Sequence, residues 1–495
     1  MSNAERTTPQ RISVCLTMIV RDAADFIAET LASVLPYVDH WVIVDTGSVD
    51  RTAEVVTEFF AQAGVPGTLM HRPWVGFSHN RTEALTLAAG TADYALMLDA
   101  DDLVVGHVPL DQIDHNVDLY LLQFGPDFIF WRPALFRLDR RWEYRGAVHE
   151  YAVAVDGDAR SEKLHGRYHL VFQSLGARGK DPLKFRRDVA ALLASWDQSP
   201  DDARTAFYLG QSYRDAGDDA AALDWYLRRV SMPGWNEETF VAALEVGRCL
   251  HRCGNEDAEV IVAYCRAADI RPSRAEPWLE VARLHRTRGR WREGYDAAVR
   301  GAEIPFPFED ILFVAADIYR WQLADERSIC AHFLGLHEES VELCEALLVS
   351  AHLPDDQRER MLANRDQSLV HLMAERVRFR PERVQALASA SISPSGEPSV
   401  TLTITTCCRR ELFERTIDSF LECCSDHNRI RRWICIDDGS SADDRAAMLE
   451  RYPFFEFIFE SDDDRGHASS MGELLRQVDT PYWLHLEDDW DFVSR

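Results

Sequence analysis

The stretch YALMLDADDLVVG, residues 94–106, sets an apolar run against Asp99, Ala100, Asp101 and Asp102 before a second apolar run begins. Residues two apart in a strand point to the same side, so Asp99 and Asp101 are expected to aim together into one cleft. Carboxylates that close either share a proton or bind a cation. At neutral pH a hard divalent ion, Mg²⁺ or Mn²⁺, is the simpler expectation, because such ions prefer oxygen ligands. A few carboxylates completed by phosphate oxygens suit Mg²⁺ better than an all-protein cage, which points to a nucleotide diphosphate as ligand. Taken alone, the same residues also fit a solvated turn.

Upstream, residues 11–105 alternate between two periods. ISVCLTMIV (12–20), HWVIVD (40–45), a short run near 68–72 and YALMLD (94–99) read as strands. AADFIAETLASVL (23–35), VDRTAEVVTEFFAQAG (49–64) and SHNRTEALTLAAG (78–90) read as helices. Near-continuous apolar strands alternating with helices mean a buried, mostly parallel sheet. Ligands of such sheets bind beyond the carboxyl ends of the strands. Asp22, the DTGS run (45–48) and the DADD run (99–102) all fall at those ends, along one edge.

Downstream, residues 107–175 hold aromatic-rich strands and close with KLHGRYHLVFQSLG (163–176). Residues 181–385 are read as a helical domain. Gly210, Tyr213, Ala222, Tyr226 and Pro233 resemble a tetratricopeptide (TPR) repeat, and Gly247 restarts the pattern. A third, weaker unit runs from Trp278 to about Ile304. Paired helices at such a period are the signature of a solenoid, whose concave face takes extended partners. A Ser/Pro-rich linker is expected over 386–400. Beyond it the first pattern returns: RWICIDDGSSADDR (432–445) parallels HWVIVDTGSVDR, and PYWLHLEDDWDF (481–492) parallels DYALMLDADDLV. The domain reading is thus 11–180, 181–385 and an incomplete second copy over 401–495.

Composition bounds the function. There are 54 Lys+Arg against 82 Asp+Glu, a net charge of −28, which argues against a nucleic-acid surface or a polybasic membrane attachment. No stretch approaches the ~18 apolar residues of a membrane span, and the N-terminus lacks a signal-peptide apolar core, so a cytoplasmic protein is expected. The 11 scattered Cys read as reduced core thiols, including Cys249 and Cys253, which lack a second metal-ligand pair. The Gly-rich fingerprints of dinucleotide and P-loop sites are absent.

TMIVRDAADFIAETLASV, VIVDTGSVDRT, SHNRTEAL and YALMLDADD, in this order and spacing, resemble the family-2 glycosyltransferases of the GT-A fold. The resemblance implies a nucleotide-sugar donor, a divalent metal (Mn²⁺ or Mg²⁺) at the D-x-D motif, and inversion at the anomeric carbon. It places Thr17 and Arg21 along the donor site, Asp45 on the base, Gly47 and Ser48 in the loop that shapes it, and Arg81 near the base or diphosphate. Asp99 would meet the ribose or metal, and Asp101 the metal. Asp45 as a helix cap and Arg81 as a solvated helix residue are the bland alternatives.

Inverting transfer also needs a carboxylate to take the acceptor proton. WEYRGAVHEY (142–151) resembles the G-x-V-H-E stretch of glycosyltransferases that carry TPR repeats. Glu150 is the expected base, His149 its orienter or a second candidate, and Glu143 a weaker alternative. Adjacent residues on a strand face opposite sides, so both cannot meet one substrate atom without a bend. The fold commonly takes a later His as third metal ligand; His169 is chosen here ahead of His165. Basic residues 178–187 (Arg178, Lys180, Lys184, Arg187) could close over a diphosphate. In the second copy Asp437, Glu487 and Asp489 parallel Asp45, Asp99 and Asp101, but Arg81 has no counterpart, Cys407 replaces Arg21, and no base-bearing half follows. As given, that copy is expected not to catalyse transfer; with further sequence it would be a candidate second transferase.

The leading expectation is a metal-dependent hexosyltransferase acting on a protein, peptide or glycan acceptor docked partly by the repeats. Helical repeats also make homodimers. A repeat scaffold with degenerate transferase domains and a nucleotidyltransferase are the alternatives.

Overall fold

The computed structural model describes residues 12–176, 179, 181–376, 379–389, 399–460 and 466–492. The chain divides into two compact units. One holds residues up to Cys330 with Ser350–Leu353, and the other holds Ala331–Val349 and the chain from Pro354. The helical block expected over 181–385 is therefore shared between the units. Residues 390–398 of the expected linker lie outside the described residues, as do Arg178 and Lys180.

The first unit opens with β1 (Val14–Val20), α1 (Ile27–Val34), β2 (His40–Asp45), α2 (Thr52–Ala63), β3 (Gly67–His71), α3 (Phe77–Ala88) and β4 (Tyr94–Met97). Strands β3, β2, β1 and β4 lie side by side and parallel. Along β1, Val14, Leu16, Met18 and Val20 pack with Ile27 and Leu31 of α1 and Val56 and Phe60 of α2. The intervening Cys15 and Ile19 pack with Ala84, Leu85 and Ala88 of α3. Both faces are covered, which is why these strands read as unbroken apolar runs.

The sheet continues through β5 (Asp102–His107), β6 (Leu119–Phe124), β7 (Phe128–Arg137), β10 (Ser161–Lys163) and β11 (Arg167–Phe172). Strand β7 runs antiparallel to both β4 and β6, so the sheet is mixed beyond β4. A separate hairpin, β8 (Trp142–Arg145) and β9 (Tyr151–Ala154), adds Trp142 and Tyr144 to the core on the α3 side.

Helices α4 (Lys184–Gln198), α5 (Ala203–Asp215), α6 (Asp219–Ser231), α7 (Asn236–Arg252), α8 (Asp257–Ile270), α9 (Glu276–Thr287) and α10 (Trp291–Ala302) follow. Two glycines set the pairing. A Cβ on Gly210 of α5 would stand 2.7 Å from the Tyr226 ring of α6, and one on Gly247 of α7 would stand 2.5 Å from Tyr264 of α8. Each helix pair closes only because the first helix lacks a side chain there, and that requirement fixes the repeat spacing seen in sequence. A two-residue strand, β12 (Val314–Ala315), then pairs antiparallel with Ile129 and Phe128 of β7, so the repeat region adds an edge to the first sheet.

Helix α11 (Leu323–Phe333) carries the division between the units. The second unit contains α12 (His337–Val349), α13 (Asp355–Arg376) and α14 (Pro381–Ser389). Its sheet comprises β13 (Val400–Thr406), β14 (Ile430–Asp437), β15 (Glu456–Phe459) and β16 (Tyr482–Glu487), with α15 (Arg410–Cys423), α16 (Ala442–Arg451) and α17 (His467–Gln477). The strand order β15-β14-β13-β16, all parallel, repeats that of β3-β2-β1-β4. The repetition reaches single residues. Cys408 and Asp22 both have positive φ, 54° and 49°, and each donates its backbone N–H to a serine hydroxyl at 3.1 Å, Ser440 and Ser48 respectively. No helix among the described residues is long and apolar enough to cross a membrane.

Candidate functional site

The carboxyl ends of β2, β1 and β4 form one edge. Asp45 ends β2 and is almost fully buried. Its Oδ1 accepts from the amides of Gly47 (3.1 Å) and Ser48 (2.8 Å), which draws the chain into a tight turn. Gly47 has φ of +104°, a conformation glycine alone adopts without cost. The helix-cap alternative for Asp45 is not realised, because α2 starts at Thr52 and Asp50 accepts from the Thr52 amide. Oδ2 of Asp45 faces Nδ1 of His71 at 3.1 Å. His71 stands beside Asp45 by strand register, the last residue of β3 opposite the last of β2. Asp45, Gly47, Ser48, His71 and Arg72 line an open cleft of about 450 Å³. The sequence reading missed His71; its signal was its place at the end of the next parallel strand.

Of the two residues expected after β1 at the donor site, one is placed differently. Thr17 lies inside β1, fully buried, with its hydroxyl donated to the Leu96 carbonyl, so its side chain lines no cleft. Arg21 is at the strand end as expected, half exposed and 3.7 Å from Asp22.

Two strand spacings away, about 10 Å, lies the acidic turn. Strand β4 stops at Met97, and Asp99 and Asp101 occupy a turn closed by the Asp102 amide on the Asp99 carbonyl. The alternation argument for a shared direction therefore does not hold, and the two carboxylates meet different partners. Asp99 accepts from Arg81 at 2.5 Å and lies 3.6 Å from Arg132. Asp101 accepts the amides of Leu175 (2.9 Å) and Gly176 (3.3 Å) through Oδ2. Asp102 is fully buried, with Arg132 at 3.0 Å. Two guanidinium groups thus offset the repulsion. Arg132, on antiparallel β7, was not anticipated.

Arg81 is the hub. Its side chain is 11% exposed, and its second branch reaches Glu150 at 2.9 Å, itself 8% exposed. Helix α3 is seated for this: Ser78 donates to the Gly146 carbonyl, and Thr82 accepts the Tyr144 amide at 2.8 Å. Burial alone would weaken the Arg81 charge, but Asp99 and then Glu150 more than restore it. Burial likewise works against Asp99 ionising, yet Arg81 and then Arg132 hold its carboxyl below the usual carboxylate value. Asp102 goes the other way, pushed up to about 6 by burial that Arg132 only partly opposes. Burial pushes the Tyr144 phenol up to about 12.

His149 and Glu150 part company. His149 has φ of +54° and stacks on Tyr208 of α5 at 4.1 Å, so it stands with the repeats while Glu150 turns to Arg81. Glu143, half exposed, pairs with Arg145 at 3.3 Å. His169 lies on β11 opposite Val105, and His165 packs edge-on to Trp131. Among the described residues no group of three or more His, Cys, Asp or Glu is placed to hold a metal ion, so Asp99, Asp101 and His169 are not gathered into a ligand set. Oxygen donors of the kind a hard ion takes are nevertheless present. Oδ1 of Asp102 is buried without a partner among the described residues, and Asp101 engages them through Oδ2 alone. Lys184 stands over the Phe185 ring, and Arg187 pairs with Asp181.

In the second unit the register puts Glu487 and Asp489 where β1 and β4 put Asp99 and Asp101. Asp437 is fully buried and bound by Arg445 at 2.6 Å, and Arg409 lies 2.6 Å from buried Asp488. Counted from the glycines that precede α3 and α17, Met471 stands where Arg81 does.

Residues 13–114 match the model of glycosyl transferase family 2. The chain thus carries a family-2 glycosyltransferase domain, followed by a TPR-like helical region. A TPR repeat-containing protein of Synechococcus elongatus is 28% identical over 322 residues, covering 58% of this chain and 74% of that protein. Among solved structures, MamA matches at 15% identity with a TM-score of 0.28, covering 39% of this chain and 96% of that one. A thermophilic TPR protein of Thermus thermophilus matches at 14% identity with a TM-score of 0.27, covering 37% and 90%.

Proposed function

We propose that the first domain transfers a hexose from a nucleotide-sugar donor to a protein, peptide or glycan acceptor, with inversion at the anomeric carbon. The observation that carries this reading is Arg81, held between Asp99 and Glu150 at the carboxyl edge of the sheet. The cleft at Asp45 and His71 takes the nucleoside. Arg81 takes the diphosphate, using a guanidinium whose Nε has no partner among the described residues. Anion binding there loosens the hold of Arg81 on Glu150 and releases a carboxylate to act as base. The acceptor hydroxyl oxygen bonds to the anomeric carbon, its proton passes to Glu150, and the bond to the diphosphate breaks. A divalent ion, Mg²⁺ or Mn²⁺, supplies positive charge to the leaving diphosphate when bound. Asp101, with Asp99 or Asp102, is the residue that would hold it.

The second copy does not transfer in this reading, since Met471 replaces the Arg81 charge and Arg445 fills the place beside Asp437. The 28%-identical relative is named for its repeats, which keeps a scaffold role for the helical region in view. Nucleoside diphosphate release from UDP-, GDP- and TDP-hexoses, with Glu150→Gln as control, tests the proposal. A scaffold releases none under any condition.

A further inference from the structure

The loop that presents Glu150 is held by the repeats. Val148 is buried in the same apolar cluster as Val189, Leu192, Phe207 and Tyr208 of α4 and α5. The His149 ring stacks on Tyr208 at 4.1 Å with 7° between planes. Arg204, on the same helix, donates to the His149 carbonyl at 3.1 Å and to the Tyr208 hydroxyl at 3.3 Å. Its guanidinium lies 4.9 Å from the ring centres of both Tyr208 and Tyr151. The other branch of Arg204 reaches Glu238 of α7 at 3.0 Å, and Glu238 lies 3.5 Å from the fully buried Arg229 of α6.

The backbone explains why so much is assembled on one loop residue. His149 sits at φ +54°, a conformation that is costly for a non-glycine residue and persists only where surroundings over-determine it. That turn sends residue 149 toward α5 and residue 150 toward Arg81. A relaxed His149 would take Glu150 with it.

We infer that α5 of the first repeat is a positioning platform for the proposed base, with Tyr208 and Arg204 as positioning residues that act through His149 on Glu150. The inference rests on the reading of Glu150 given above. It makes the first repeat part of the apparatus that places the proposed base.

The test uses the full chain and the variants Tyr208→Ala, Tyr208→Phe, Arg204→Met and Glu150→Gln. The first readout is amide hydrogen exchange over residues 146–151, which needs no turnover. Tyr208→Ala and Arg204→Met are expected to speed exchange there while β1 and β2 keep wild-type protection; Tyr208→Phe, which retains the stack, keeps the loop protected. The second readout is nucleoside diphosphate release from UDP-, GDP- and TDP-hexoses, each varied alone. Tyr208→Ala is expected to lower kcat by about 100-fold, the scale of a misplaced catalytic group, with KM for the donor unchanged. Tyr208→Phe restores most of it. Wild-type exchange rates in Tyr208→Ala overturn the platform. So does unchanged kcat in Tyr208→Ala when Glu150→Gln is dead. A fully active Glu150→Gln overturns the base assignment instead, leaving the exchange result to judge the hold on the loop.

Discussion

Arg81→Met separates the charge of Arg81 from its bulk. Arg81 carries two ion pairs, to Asp99 at 2.5 Å and to Glu150 at 2.9 Å, among side chains 8–22% exposed. At an effective dielectric constant of about 20, charges 2.9 Å apart attract by about 6 kcal/mol before desolvation is counted. Desolvation offsets much of that, but removing the cation alone leaves two mostly buried carboxylates facing each other. Breaking such a pair costs about 3–5 kcal/mol. The lower end applies here, because Asp99 keeps about a fifth of its surface in water. The pH dependence has a definite sign. Arg81 and Arg132 depress Asp99 below its unfolded value of 3.8, so their stabilisation is complete above that value and is lost as pH falls through the depressed one. Relative to wild type, Arg81→Met is therefore least stable near neutral pH, and the deficit narrows as its uncompensated carboxylates protonate toward about pH 4. Urea denaturation followed by tryptophan fluorescence at both pH values reads this. A neutral-pH loss under about 1 kcal/mol, the level of an exposed ion pair, would show that the Arg81 pairs are not desolvated.

Asp102 gives the opposite pH sign. Its carboxyl titrates at about 6 in the fold against 3.8 unfolded, so the fold favours the neutral form. Relative to Asp102→Asn, wild type loses stability as pH rises from about 4 to 6, by about 3 kcal/mol on the scale of 1.36 kcal/mol per unit; a flat difference across that window contradicts it. Gly210→Ala drives a methyl to 2.7 Å from the Tyr226 ring and is expected to cost about 1–3 kcal/mol by thermal unfolding, with wild-type stability the contrary result. Asp45→Ala removes the acceptor of the Gly47 and Ser48 amides and the partner of His71; calorimetric titration with UDP, GDP and TDP should lose any binding seen in wild type, and undiminished affinity would dissociate this cleft from the nucleoside.

The sheet was legible because its strands are buried on both faces and carry near-continuous apolar runs, while α1, α2 and α3 keep helical spacing. The second parallel sheet was legible for the same reason, and its register sets Glu487 and Asp489 where Asp99 and Asp101 stand in the first. Strand periodicity failed at Asp99 and Asp101, because β4 ends at Met97 and a turn obeys no alternation. Arg132 escaped notice because it reaches the acidic turn from an antiparallel strand some 30 residues away, a pairing no local pattern announces. That His149 and Glu150 face opposite ways was expected from strand alternation, but the fold achieves it with a left-handed turn at His149, which leaves no mark on composition. Thr17 was assigned by resemblance; its position three residues inside β1 puts it in the core.

The proposed transferase requires that the carboxyl edge of the first sheet bind a nucleotide sugar and turn it over through Glu150. The most direct test is nucleoside diphosphate release across UDP-, GDP- and TDP-hexoses with Mn²⁺, Mg²⁺ or chelator, comparing wild type with Glu150→Gln and Asp101→Ala. Release from a donor in wild type, dependence on the cation, and loss in both variants are expected. No release, together with no nucleotide binding by calorimetry with either cation, would contradict it.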